Sequence, residues 1–89
     1  MKHTIKAQIK LEPQEGLPII LKEGELYHFE KRQPRWFHEG IEARLVNKDN
    51  KTVAIVRIIN PITYTEEKNG KIVGITRGNY QVIKLYNGN

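Results

Sequence analysis

The sequence predicts an all-β fold, a small single-domain barrel or closed antiparallel or mixed sheet of about six to eight short strands over residues 1–89, with at most one helical turn. Three observations predict it. Isoleucine and valine dominate the apolar residues, and β-branched side chains suit a pleated surface better than a helix. Polar and apolar residues alternate with period two in several windows, and none repeats with helical period. Clusters of Gly, Pro and Asn recur at short, regular spacing, as turns do between short strands. Closing such a sheet would also remove its exposed edges.

The elements follow in order. TIKAQIKL alternates, with Ile5, Ala7, Ile9 and Leu11 on one face and Lys6, Gln8 and Lys10 on the other. EPQEG interrupts it with Pro13 and Gly16. LPIILK is a short apolar run that Pro18 marks as a strand start or edge. In ELYHFEK, Tyr27 and Phe29 point one way, His28 and Glu30 the other. GIEARLV (Ile41, Ala43 and Leu45 inward) and TVAIVRII should form a hairpin across the NKDNK turn. Asn60-Pro61 ends that strand. ITYT and IVGIT flank an Asn69-Gly70 turn, Arg77-Gly78-Asn79 turns the chain again, and YQVIKLY closes the fold. The closing strand puts Ile83 and Leu85 on one face, with Tyr80, Val82 and Tyr86 on the other. The single helical turn is expected near Trp36 to Glu39.

Eighty-nine residues fit one modest core. The formal net charge of +5 permits binding to nucleic acid or another anionic surface, and equally suits a well-dispersed soluble protein. There is no cysteine, hence no disulfide, no thiolate metal site and no cysteine nucleophile. There is no serine, and Asp49 is the sole aspartate, which excludes serine triads and aspartate pairs. MKHTIKAQIK lacks the continuous apolar core of a signal peptide and no later run is long enough to span a membrane, so a cytoplasmic location is the expectation.

The most informative stretch is KRQPRWFHEG, residues 31–40. It sets Lys31, Arg32 and Arg35 against Trp36, Phe37 and His38. Guanidinium groups pair with phosphate and an indole offers a stacking face, so this pattern suits RNA or single-stranded DNA, with Lys6 and Lys10 extending the patch. Alternatively, Trp36 and Phe37 plug one end of the barrel and the cations only solvate the loop. The histidines His3, His28 and His38 lack metal-ligand spacing and are expected on the surface. Gly74, Gly78 and Asn69-Gly70 open no helix, so they read as turn and bulge residues rather than a phosphate cradle. Arg57, in the most apolar strand, needs a partner, either Glu42 or Glu30 across the sheet or an anionic ligand in a pocket with Tyr27 and Glu30. Tyr64, Tyr80 and Tyr86 build the core or a stacking platform. No cofactor and no metal are expected.

Residues 20–86 resemble the ASCH group of PUA-like barrels, whose motif has the form GxKxxExR. Glu30 and Arg32 match its ExR ending, EGIEARLV is similar to the glycine-then-strand element after it, and GNYQVIKLY (78–86) to the closing strand. Tyr27 stands where the motif has its catalytic lysine, Glu25 where it has glycine, and Gly24 is one residue out of register. The family's accompanying helices are also missing. The resemblance therefore implies a PUA-like barrel and RNA binding in a cleft, and not the amidohydrolase activity of some members. A second likeness, to short β proteins of Firmicutes, implies a bacterial source and no defined activity.

Three functions are compatible with these residues. The first is a non-enzymatic nucleic-acid-binding module, with RNA favoured over DNA. It predicts a contiguous positive patch and an exposed Trp36. The second is an interaction or accessory module, a monomer or homodimer, which predicts an exposed apolar patch or edge strand. The third is a small hydrolase using Glu30 as acid or base with Arg32 or Arg57 fixing an anion, which predicts a pocket around Glu30.

Overall fold

A computed structural model describes residues 5–86, so His3 lies outside the described residues. The chain forms five strands: β1 (Gln8–Lys10), β2 (Leu26–Lys31), β3 (Glu42–Val46), β4 (Thr52–Lys68) and β5 (Lys71–Leu85), with one 3₁₀ turn at Pro13–Glu15. They build one mixed sheet in the order β1-β3-β4-β5-β2. Only β1 and β3 run parallel; the other three pairs are antiparallel. The all-β expectation holds, but the sheet is not a closed barrel. β1 and β2 are its two edges, and no backbone ladder joins them.

One face of the sheet carries the core. Ile9 and Leu11 from the first segment, Phe29 from β2, Ala43 and Leu45 from β3, Val56 and Ile58 from β4, and Tyr80 and Val82 from β5 are fully or almost fully buried together. Each inward set sits at alternate positions, as the period-two pattern requires. Tyr27 and Phe29 face inward while His28 is exposed, as the alternation of ELYHFEK indicates. The β3–β4 hairpin forms as expected. In its turn, Asn47 Oδ1 accepts from the Asp49 and Lys51 amides, at 2.9 and 3.1 Å, while Asn50 adopts φ 63°. Asn69 and Gly70, both at positive φ, make the tight turn between β4 and β5.

Two expected turns turn out to be the two sides of one irregularity. β4 runs for 17 residues straight through Asn60-Pro61, and β5 for 15 through Arg77-Gly78-Asn79. The register passes from Ile59↔Asn79 to Ile62↔Arg77, so Asn60 and Pro61 bulge opposite the single residue Gly78. Asn60 takes φ 52°, and a Cβ on Gly78 would lie 3.1 Å from the Asn60 and Ile59 carbonyl oxygens. The residues that signal turns here permit a bulge instead, and the fold has five strands, two of them long, rather than six to eight short ones. The two long strands give the molecule its 47 × 27 × 21 Å extents. A second register shift, between Ile55 and Val56, skips Ile83, so Leu85 packs on the core side while Ile83 and Tyr86 are exposed.

LPIILK is not a strand. Gly16 is held at φ 120° with its backbone against β2, and the chain crosses the sheet face irregularly, leaving Ile19 and Ile20 in water. The helical turn sits at Pro13–Glu15, not near Trp36, with Pro13 in the first turn, where a missing N–H costs nothing. Among the described residues no helix is long and apolar enough to cross a membrane.

Candidate nucleic-acid interface

The edges of the curled sheet come close enough for side chains to bridge them. Successive carbonyls of a strand point to opposite sides. Ala7 O accepts from the Arg44 amide on β3, so the carbonyls of Gln8 and Lys10 face the open edge. Both are capped by cations. The Lys31 ammonium, arriving from β2, donates to Lys10 O and to the Glu15 carboxylate at 3.3 Å; the Arg35 guanidinium donates to Gln8 O at 3.2 Å. Glu15 is in turn positioned by the Glu12 amide, at 3.0 Å. An edge strand that would otherwise template pairing with another chain is blocked by charge.

Lys31 is therefore not a free surface cation. It is only 6% exposed and its charge is used inside the fold. That corrects the expectation that it faces a ligand. Its alternation with Phe29 on the inward face of β2 was readable in the sequence; its partner Glu15, sixteen residues away, was not.

Residues 32–41 cross from β2 to β3 as an irregular loop fastened at both ends. Thr76, buried on β5, accepts from the Arg35 amide (2.7 Å) and donates to Gln33 O (2.8 Å), while Thr63 on β4 donates to Arg35 O (2.7 Å). Pro34 packs over Gly74, where any Cβ would be 3.0 Å from the proline ring. At the far end, the Gly40 amide donates to Ile58 O and the Asn60 amide to the Glu39 carboxylate, at 2.8 and 2.7 Å. The two threonine hydroxyls decide the loop's position, and nothing in the sequence sets them apart from other strand threonines.

The plug and stacking readings of Trp36 and Phe37 divide between the two residues. Phe37 packs on the core, edge-on to Phe29 with ring centres 6.2 Å apart. Trp36 is 81% exposed. One ring enters the fold and the other stays in water. Beside Trp36 lies an open groove of about 470 Å³ lined by Lys6, Gln8, Pro34, Arg35 and Ile41. A second cavity of about 310 Å³ continues along the β1 edge and brings Lys10, Lys31 and Arg35 together with Glu12 and Glu15. The two share Gln8 and Arg35.

Thus Lys6, Lys10, Arg35 and Trp36 gather along one edge. Arg32 and His38 do not line it. Arg32 is exposed and reaches the Glu66 carboxylate at 4.0 Å, and His38 is exposed in the loop. His28 is also exposed, its Nδ1 3.4 Å from Asn79 Oδ1. The pocket expected from Tyr27, Glu30 and Arg57 does not assemble. Tyr27 faces inward and stacks on Tyr80 at 5.5 Å, its hydroxyl accepting from the Lys22 amide at 2.9 Å. Glu30 lies on the other face, in register with Arg77. Arg57 is half-exposed and donates to Glu42 at 3.1 Å, the structural pairing of its two alternatives. Tyr80 is buried and donates to Gly16 O at 2.7 Å; burial, then the neighbouring Tyr27, push its pKa well above the ordinary range.

No family model, curated protein or solved structure matches the chain.

Proposed function

We propose that this chain binds single-stranded nucleic acid, RNA in the first instance, without catalysing a reaction. The observation that carries the reading is an exposed Trp36 on a loop fastened at both ends, beside Arg35 and Lys6 in an open groove. An indole held in water gives up the stabilisation of burial, whereas it offers any base a preset stacking face. The adjacent cations meet the backbone phosphates. The preference for RNA rests on the resemblance to ASCH domains, since stacking and phosphate contact serve both polymers. The test is a titration of Trp36 emission with mixed-sequence RNA and single-stranded DNA at low and moderate salt. Saturable quenching that weakens as salt rises supports the proposal; emission indifferent to both polymers refutes it.

One observation favours a second reading, self-association. Ile19 is fully exposed and Ile20 largely so, beside a groove of about 320 Å³ lined by Leu17, Leu21, Val53 and Leu85. Sedimentation that shows a dimer for the native chain and a monomer for Ile19→Ser would support it.

A further inference from the structure

The two cavities along β1 are unequal, and their inequality sets how much of a strand they can hold. We infer that the site takes a short footprint of about two nucleotides, with one base on Trp36 and one phosphodiester between Lys10 and Arg35, and that Glu12 and Glu15 stop the strand there. The inference rests on the nucleic-acid reading above.

Arg35 marks the boundary. Its guanidinium is tied to Gln8 O by one of five N–H groups, and the rest have no partner among the described residues, so they can face a phosphate from a fixed position. On one side the groove is open and carries Lys6 and the indole, with no carboxylate among the described residues that line it. On the other side Lys10, Lys31 and Arg35 face Glu12 and Glu15, three cations against two carboxylates. The surplus of one positive charge matches the single negative charge of one phosphodiester. A following phosphate would meet the two carboxylates, and like charges at contact distance repel. Lys31 cannot swing out to receive it, because its ammonium is buried and held by Lys10 O and Glu15.

The experiment is a length series of oligouridylates from two to twelve nucleotides, read by Trp36 emission, on the native chain and on Glu12→Lys. Glu12 is exposed, so the variant is expected to keep the native Tm. For the native chain, affinity should be nearly complete by three or four nucleotides. Beyond that it should rise only with the number of registers available to the longer strand. In Glu12→Lys, affinity should keep rising, by at least a further fivefold between four and twelve nucleotides. A native affinity that climbs tenfold or more over that range overturns the inference, as does a Glu12→Lys profile identical to the native one. Absence of binding at every length would instead refute the nucleic-acid reading itself.

Discussion

Two irregular segments, 12–21 and 32–41, cross the same face of the same sheet, and each is fastened by a hydroxyl of β5. Tyr80 donates to Gly16 O in the first; Thr76 donates to Gln33 O in the second. The difference lies in depth. The first segment presses its backbone on β2, so that a Cβ on Gly16 would lie 2.2 Å from His28 O, and it sends Leu17 and Leu21 onto the core. The second is held by two threonine hydroxyls and Pro34, and sends Phe37 and, at its end, Ile41 inward. One segment presses its backbone onto the core. The other is a rigid mount for what it leaves outside, Arg35 and Trp36. Shallow but well-fastened attachment lets a small domain expose a large aromatic ring without losing its core.

Breaking the deep anchor should have the largest effect. Gly16→Ala adds a Cβ where backbone already sits and where φ 120° disfavours any side chain. The expected cost is about 3 kcal/mol or more, read as a large fall in Tm or failure to fold. A native-like Tm would mean that the segment moves freely over β2.

Tyr80→Phe removes only the hydroxyl and leaves Gly16 O without its donor, an expected loss of about 1–3 kcal/mol in chemical denaturation. It should also change the response to alkali. The folded state holds the Tyr80 proton above the ordinary tyrosine pKa, so above about pH 10 the unfolded chain binds fewer protons than the folded one. That contribution is fully present below pH 10 and is lost as pH rises through the raised value. The native chain should therefore lose stability above about pH 10 more steeply than Tyr80→Phe. Parallel curves would contradict the burial of this hydroxyl.

At the shallow anchor, Thr76→Val keeps the shape but strips Arg35 N–H and Gln33 O of their partner. About 1–2 kcal/mol of stability should go. The indole should also become more mobile, which a lower steady-state anisotropy of Trp36 would show. Loss of stability with unchanged anisotropy would mean that the loop is held elsewhere.

The contrast between the segments also marks what the sequence makes legible. Period-two alternation places the inward rows of β2 and β3 correctly, and Ile9 and Leu11 with them, because burial on one face imposes that pattern directly. Strand number is not legible in the same way. Asn60-Pro61 and Gly78 are punctuation in one dimension, and only the β4–β5 register sets them opposite each other as a bulge. Lys6, Lys10, Arg35 and Trp36 could be proposed as one patch from composition, and the curl of the sheet gathers them. The loss of Lys31 to Glu15 and Lys10 O, and the anchoring role of Thr63 and Thr76, depend on long-range contacts that leave no local signal.

The proposed role of Trp36, binding rather than core packing, is tested most directly by measuring both properties of one variant. Trp36→Ala should change stability by less than about 0.5 kcal/mol, because the ring is mostly in water. Its affinity for oligouridylate, followed by polarisation of a labelled strand, should fall by roughly 1–3 kcal/mol, the worth of one stacked base. A variant that binds as tightly as the native chain, or that loses several kcal/mol of stability, would mean that Trp36 is not the stacking group.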